Sequence, residues 1–218
     1  MTLARHRHWN LWVIACALHL WLIILATPIA SWASSQPTES PTEVIRATLT
    51  EVFRILEDPK LKDPAKLLPR RRLLEQVIGE RFDYAEMSKR ALAANWTSLT
   101  QDQRAEFVEL FKAFLSDRYA GKIESYTGER TEYLSERLEG SYAEVRTRLV
   151  SSKVELPMDY RMINKAGRWC AYDIIADGVS LVKNYRSQFD KIIHSDSYDE
   201  LVKRLRDRTV AEEKKEAR

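Results

Sequence analysis

The feature that most restricts the fold is a change in the spacing of apolar residues at Gly128. Ahead of it, Phe107, Val108, Phe111, Phe114, Leu115, Tyr119, Ile123 and Tyr126 recur every three or four positions, the repeat of one helical face. Behind it, Ala143, Val145, Thr147 and Leu149 alternate with Glu144, Arg146 and Arg148. A second run, Val154, Leu156, Met158, Tyr160 and Met162, alternates with Glu155, Asp159 and Arg161. A period of two puts the apolar set on one sheet face and the charges on the other. A chain that is helical first and β later segregates its helices from its strands, and short connections make those strands antiparallel. The predicted fold class is α+β, a helical layer packed on a twisted antiparallel sheet of about four strands.

Local signals mark the elements. Ser40, Pro41 and Glu43 form a helix start with a Ser cap and Pro in the first turn. The stripe Val44, Ile45, Leu49, Val52, Phe53 and Leu56 follows, and Asp58, Pro59 and Pro64 end it. A second helical stretch covers residues 65–82, with Leu67, Leu74, Val77, Ile78 and Phe82 on one side and Arg70, Arg71 and Arg72 elsewhere. A third carries Met87, Leu92 and Trp96. Thr100 and Gln103 form a capping box for the longest helix, about 26 residues or roughly 39 Å. Residues 164–167 read as a hairpin turn into a strand at Arg168–Ala176, with Arg130–Glu139 as a further edge strand. Asp177 and Gly178 turn the chain into a helix through Val182, Tyr185, Phe189, Ile192 and Ile193, and Ser197 with Glu200 caps the last one.

Residues 1–33 stand apart. They hold four of the six Trp and no acidic residue, with basic Arg5 and Arg7 before an apolar run and Ser31, Trp32 and Ala33 after it. This is the pattern of a secretory signal peptide cut after Ala33. Residues 9–33 are also long enough to span a bilayer, so an uncleaved inner-membrane anchor is the second reading. Residues 34–42 read as a Ser/Thr/Pro linker, residues 43–210 as one domain and residues 211–218 as a frayed charged tail. Without Arg5 and Arg7, Lys and Arg fall from 35 to 33 against 32 acidic residues. A net of about +1 excludes the basic excess that nucleic-acid binding needs. The remaining segment has one cysteine, Cys170, and one histidine, His194, so its fold rests on its core and not on a disulfide.

Catalytic signatures are sparse. There is no glycine-rich phosphate loop, no His pair at metal spacing and no nucleophile elbow. Cys170 reads as a small buried hydrophobe before it reads as half of a thiol dyad with His194. Asp177 reads as a turn or cap residue before it reads as a carboxylate paired with Asp173. The expectation is a protein that is not an enzyme, with no cofactor and no metal. What remains is apolar surface on faces that converge, which reads as an ordinary core or as a lined ligand cavity.

The run from Arg168 through Trp169, Tyr172, Asp173, Ile174, Ile175, Asp177, Gly178, Val179, Ser180, Leu181 and Val182, with Asn184, Tyr185, Arg186, Gln188 and Phe189 behind it, resembles the signature of the MlaC family. These exported phospholipid carriers are also called toluene-tolerance auxiliary proteins. The resemblance implies a periplasmic protein that holds a phospholipid by its acyl chains. It further implies shuttling between an outer-membrane lipoprotein complex and an inner-membrane ABC transporter complex. A hopanoid-associated branch makes a polycyclic lipid the alternative cargo, and a non-catalytic envelope adaptor is the alternative from another class. A diacyl lipid with roughly 30 methylenes would cost on the order of 20 kcal/mol if drawn bare into water, so a carrier must enclose its tails.

The expected lipid cavity lies between the long helix and the apolar sheet face. Phe111 and Leu115 line one side, and Val145, Leu149, Leu156, Met158, Tyr160 and Met162 the other. Tyr172 and Ile174 are expected to point inward with Cys170 because that face of the third strand carries no charge, and Val179 and Val182 complete the lining. Gly178 and Asp173 are expected to be structural.

Overall fold

A computed structural model describes residues 39–152 and 155–216. The segment read as a signal peptide, and the linker up to residue 38, lie outside the described residues. Helix α1, Pro41–Glu57, begins as its sequence requires: the Ser40 hydroxyl accepts the Glu43 N–H at 3.2 Å and Pro41 occupies the first turn. Two Asp-Pro steps then set short 3-10 turns, Pro59–Leu61 and Pro64–Lys66. In each the Asp carboxylate, of Asp58 or Asp63, accepts a backbone N–H two residues on. Helix α2 is Leu67–Gly79 and α3 is Tyr84–Leu92, capped by Asp83. A 3-10 segment, Ala93–Ser98, leads to α4, Gln101–Glu124, whose start is the capping box of Thr100 and Gln103.

Five strands follow: β1 Arg130–Glu139, β2 Tyr142–Val150, β3 Glu155–Lys165, β4 Arg168–Ala176 and the two-residue β5 Val179–Ser180. They lie in sequence order as one open antiparallel sheet. The expected α+β architecture is present, with one short strand more than predicted. Helices α5, Leu181–Ser195, and α6, Tyr198–Glu216, close the chain, and α6 continues into the region read as a frayed tail. Among the described residues no helix is long and apolar enough to cross a membrane.

Asp177 does not cap α5. Asp177 and Gly178 have φ of 49° and 75° and form the two-residue turn between β4 and β5, where both central residues need positive φ. The cap is Ser180, whose hydroxyl accepts the Lys183 N–H at 3.0 Å. A Cβ at Gly178 would meet nothing within 4 Å, so a side chain there costs backbone strain alone. Gly178→Val is expected to lose about 1 to 2 kcal/mol and to lower the melting temperature by about 2 to 8 °C. An unchanged melting curve with lost function would assign Gly178 a role other than this turn.

Among the described residues the core forms three groups. Helices α3 to α6 share the first, built on Phe107, Phe111, Leu115, Tyr185 and Phe189. The second joins α1 to the sheet through Val44, Ile45, Val145, Tyr160 and Met162. The third joins the rest of α1 to α2 through Val52, Ile55, Leu56 and Leu74.

Candidate functional site

The strand alternation holds on β2 and β3. Ala143, Val145, Thr147 and Leu149 pair with Met162, Tyr160, Met158 and Leu156, so these residues share one face. The helix across from that face is α1, not α4. Val44 and Ile45 bury against Val145, Tyr160 and Met162, with Leu49, Tyr133 and Met158 at the margin. Phe111 and Leu115 belong instead to the helical core, where Phe111 meets Phe189 at 5.2 Å and Tyr185 at 5.4 Å between ring centroids. The expected apposition of the long helix and the sheet face is therefore corrected. Several apolar stripes in this chain are alike, and α1, tied by the Thr42 N–H and hydroxyl to the Glu136 carboxylate on β1, is the one that packs on this face.

The third-strand assignment is corrected as well. Arg161 pairs with Asp173 but Met162 pairs with Ala171, so Tyr172 is an extra residue on β4. A bulge of this kind reverses the alternation beyond it. Ile174, opposite Tyr160, lies on the face covered by α1 together with Ala171 and Trp169. Cys170, opposite Ile163, lies on the other face, and the Tyr172 ring turns there to meet Tyr142 and the Arg90 guanidinium. The N–H of Ala171 donates to the Arg81 carbonyl and its own carbonyl accepts from the Asp83 N–H, each at 2.8 Å. The strand thus gains partners outside the sheet where its register slips.

The twelve residues expected to line one cavity are distributed over several places. Phe111, Leu115, Tyr172 and Val182 are buried in the helical core, and Val145, Tyr160 and Met162 are buried beneath α1. Phe111, Val145 and Met162 each retain 0% exposure. A side chain bordering a hollow that admits a water-sized probe would keep accessible area, so these three are packed on all sides. Val179 is 60% exposed in the β4–β5 hairpin and belongs to none of these buried groups. The remaining four, Leu149, Leu156, Met158 and Ile174, are half-buried. Together they form the incompletely covered end of the sheet face, next to half-buried Leu49 and Tyr133.

Polar groups in this region are few. Thr147 is buried and its hydroxyl donates to the Met158 carbonyl at 2.5 Å. The Tyr160 hydroxyl donates to the Met158 sulfur at 3.2 Å, and burial pushes its phenol far above the ordinary range, so it stays protonated. Asp173, the buried carboxylate of the signature run, accepts from the Ser180 hydroxyl at 2.7 Å, the Val182 N–H at 3.0 Å and the Arg161 guanidinium at 3.3 Å. It clamps the β5 turn and the first turn of α5 onto β4.

Helix α2 places two arginines where none was expected. Leu67, Arg70, Arg71, Leu74, Val77 and Ile78 form its buried and half-buried stripe, and only Arg72 of the basic run faces water. Arg71 holds Glu124 of α4 with two hydrogen bonds, at 2.8 and 3.2 Å. The sequence clue was available: Arg70 sits four residues before Leu74, the spacing of one helical face. On the opposite sheet face a cleft of about 320 Å³ is lined by Arg90, Arg161, Glu144, Tyr142 and Tyr172 among others. Two of its arginines are held by carboxylates, Arg90 by Glu86 and Arg161 by Asp173. Among the described residues no group of His, Cys, Asp and Glu is arranged to hold a metal ion.

An open antiparallel sheet backed by helices, with α1 covering part of its apolar face, defines an α+β domain. The MlaC protein family matches residues 46–207, and the chain belongs to that family. Its relatives include the intermembrane phospholipid transport system binding protein MlaC of Haemophilus influenzae, 23% identical over 130 residues, which cover 57% of this chain and 60% of that protein. The toluene tolerance protein ttg2D of Pseudomonas putida is 23% identical over 173 residues, 78% of this chain and 79% of that one. The fold matches a phospholipid-binding protein from Ralstonia solanacearum, solved in complex with a phospholipid. The TM-score is 0.68 at 24% identity, covering 77% of this chain and 96% of that chain.

Proposed function

We propose that this protein is a periplasmic carrier that binds the acyl chains of a phospholipid and shuttles it between an outer-membrane complex and an inner-membrane ABC transporter complex. The observation that carries the reading is the family match across most of the chain, together with a fold shared over 96% of a protein described as phospholipid-binding. The physical chemistry agrees with it. Carrying a diacyl lipid needs a large apolar surface that a ligand can reach and asks for no catalytic group.

We place the tails at the half-buried end of the sheet face, on Leu149, Leu156, Met158 and Ile174, reached as α1 moves off the sheet. Val145 and Met162, packed beneath α1, become lining only when that helix moves. Native mass spectrometry of protein purified without detergent is expected to retain a lipid-sized mass. A bare protein that takes up no phospholipid from vesicles overturns the carrier reading. Leu149→Trp is expected to cost less than about 1 kcal/mol, since its site is not fully packed, while lowering the lipid-bound fraction several-fold. Normal lipid loading by that variant would move the tail site away from Leu149.

A further inference from the structure

Arg70 differs from Arg71, its neighbour on α2, in holding no carboxylate at hydrogen-bonding distance. Its side chain is 15% exposed, and its terminal nitrogen lies 4.0 Å from Glu124 Oε1, beyond hydrogen-bonding reach. The carboxylate is already held through both oxygens by Arg71. Arg70 Nε is buried with no hydrogen-bond partner. A buried N–H without an acceptor costs stability, so such a guanidinium is explained either by its aliphatic stem packing on apolar neighbours or by an acceptor that arrives with a ligand.

The surroundings favour the ligand. Arg70 lies on the same stripe of α2 as Leu74, Val77 and Ile78, which pack with Phe53, Ile123 and Tyr126. Helix α1 contributes to this group and also to the separate group on the sheet face where the acyl chains are placed. A cation at the edge of an apolar group suits an amphiphile with an anionic head, and a guanidinium fork matches two phosphate oxygens. We propose that Arg70 is the residue that takes the phosphodiester of the bound lipid, an inference that rests on the phospholipid-carrier reading.

The test is a competition. The full chain and its Arg70→Gln and Arg70→Lys variants are incubated with phosphatidylglycerol vesicles that contain equimolar diacylglycerol with the same chains. Native mass spectrometry then separates the two bound masses. The unaltered chain is expected to favour phosphatidylglycerol, and Arg70→Gln to lose that preference by about tenfold, the scale of one charge-assisted hydrogen bond. Its diacylglycerol load and melting temperature should stay the same, and Arg70→Lys should recover most of the preference. An unchanged ratio in Arg70→Gln overturns the proposal, as does equal loss of both lipids with a lowered melting temperature, which would make Arg70 structural. Uptake of neither lipid by the unaltered chain would defeat the carrier reading itself. Inorganic phosphate that stabilises the unaltered chain but not Arg70→Gln, with lipid ratios equal between them, would assign the site to the free ion and overturn the headgroup role.

Discussion

Phe111→Ala is expected to destabilise the fold by about 4 kcal/mol, and to lower the melting temperature by roughly 8 to 16 °C. The ring is fully buried and lies within 5.2 to 6.5 Å of the rings of Phe107, Phe114, Tyr185 and Phe189. Truncation removes both the buried area and the edge-on ring contacts, and the four neighbouring aromatic rings leave little freedom for the site to collapse. The same variant separates two roles for the long helix. If Phe111 lined a lipid cavity, shortening it would enlarge the cavity, with a small effect on folding and a changed lipid load. A variant that melts within a degree or two of the parent would show that the helical core is hollow at this point.

Asp173→Ala is expected to cost about 3 kcal/mol, read as a lower midpoint in urea with an unchanged slope. The carboxylate is 2% exposed and accepts three hydrogen bonds. Removing it leaves the Val182 N–H without its acceptor in the first turn of α5 and frees Arg161 from its closer carboxylate partner. Asp173→Asn, which keeps the shape and one acceptor oxygen, should lose less. A loss below 1 kcal/mol in the alanine variant, accompanied by failure to carry lipid, would mean that Asp173 serves the ligand and not the joint between β4 and α5.

Both predictions turn on residues whose neighbours were only partly legible in the sequence. The Asp173 to Ser180 run was visible as a unit, but the division of labour within it was not. Asp177 and Ser180 are both good cap residues, and the choice between them depends on the hairpin with β4, which exists only once β5 pairs. Likewise Phe111 was correctly an inward residue, and its stripe had the right length and cap. Nothing in a stripe of Phe and Leu says whether it meets a sheet or three other helices.

The sequence by itself determined the helix starts at Ser40, Thr100 and Ser197, the hairpin turn at residues 164–167, a turn at Asp177 and Gly178, the strand parity of β2 and β3, and the α+β class. Each depends on interactions within a few residues, or on a period that one strand displays alone. Only the tertiary structure decided that α1 covers the sheet, that the bulge at Tyr172 sends Ile174 and Cys170 to opposite faces, and that Arg70 turns inward. The physical reason is that hydrophobic burial has no direction. Any apolar stripe can cover any apolar face, so the partner is chosen by chain connection, register and the few polar contacts that fit only one arrangement.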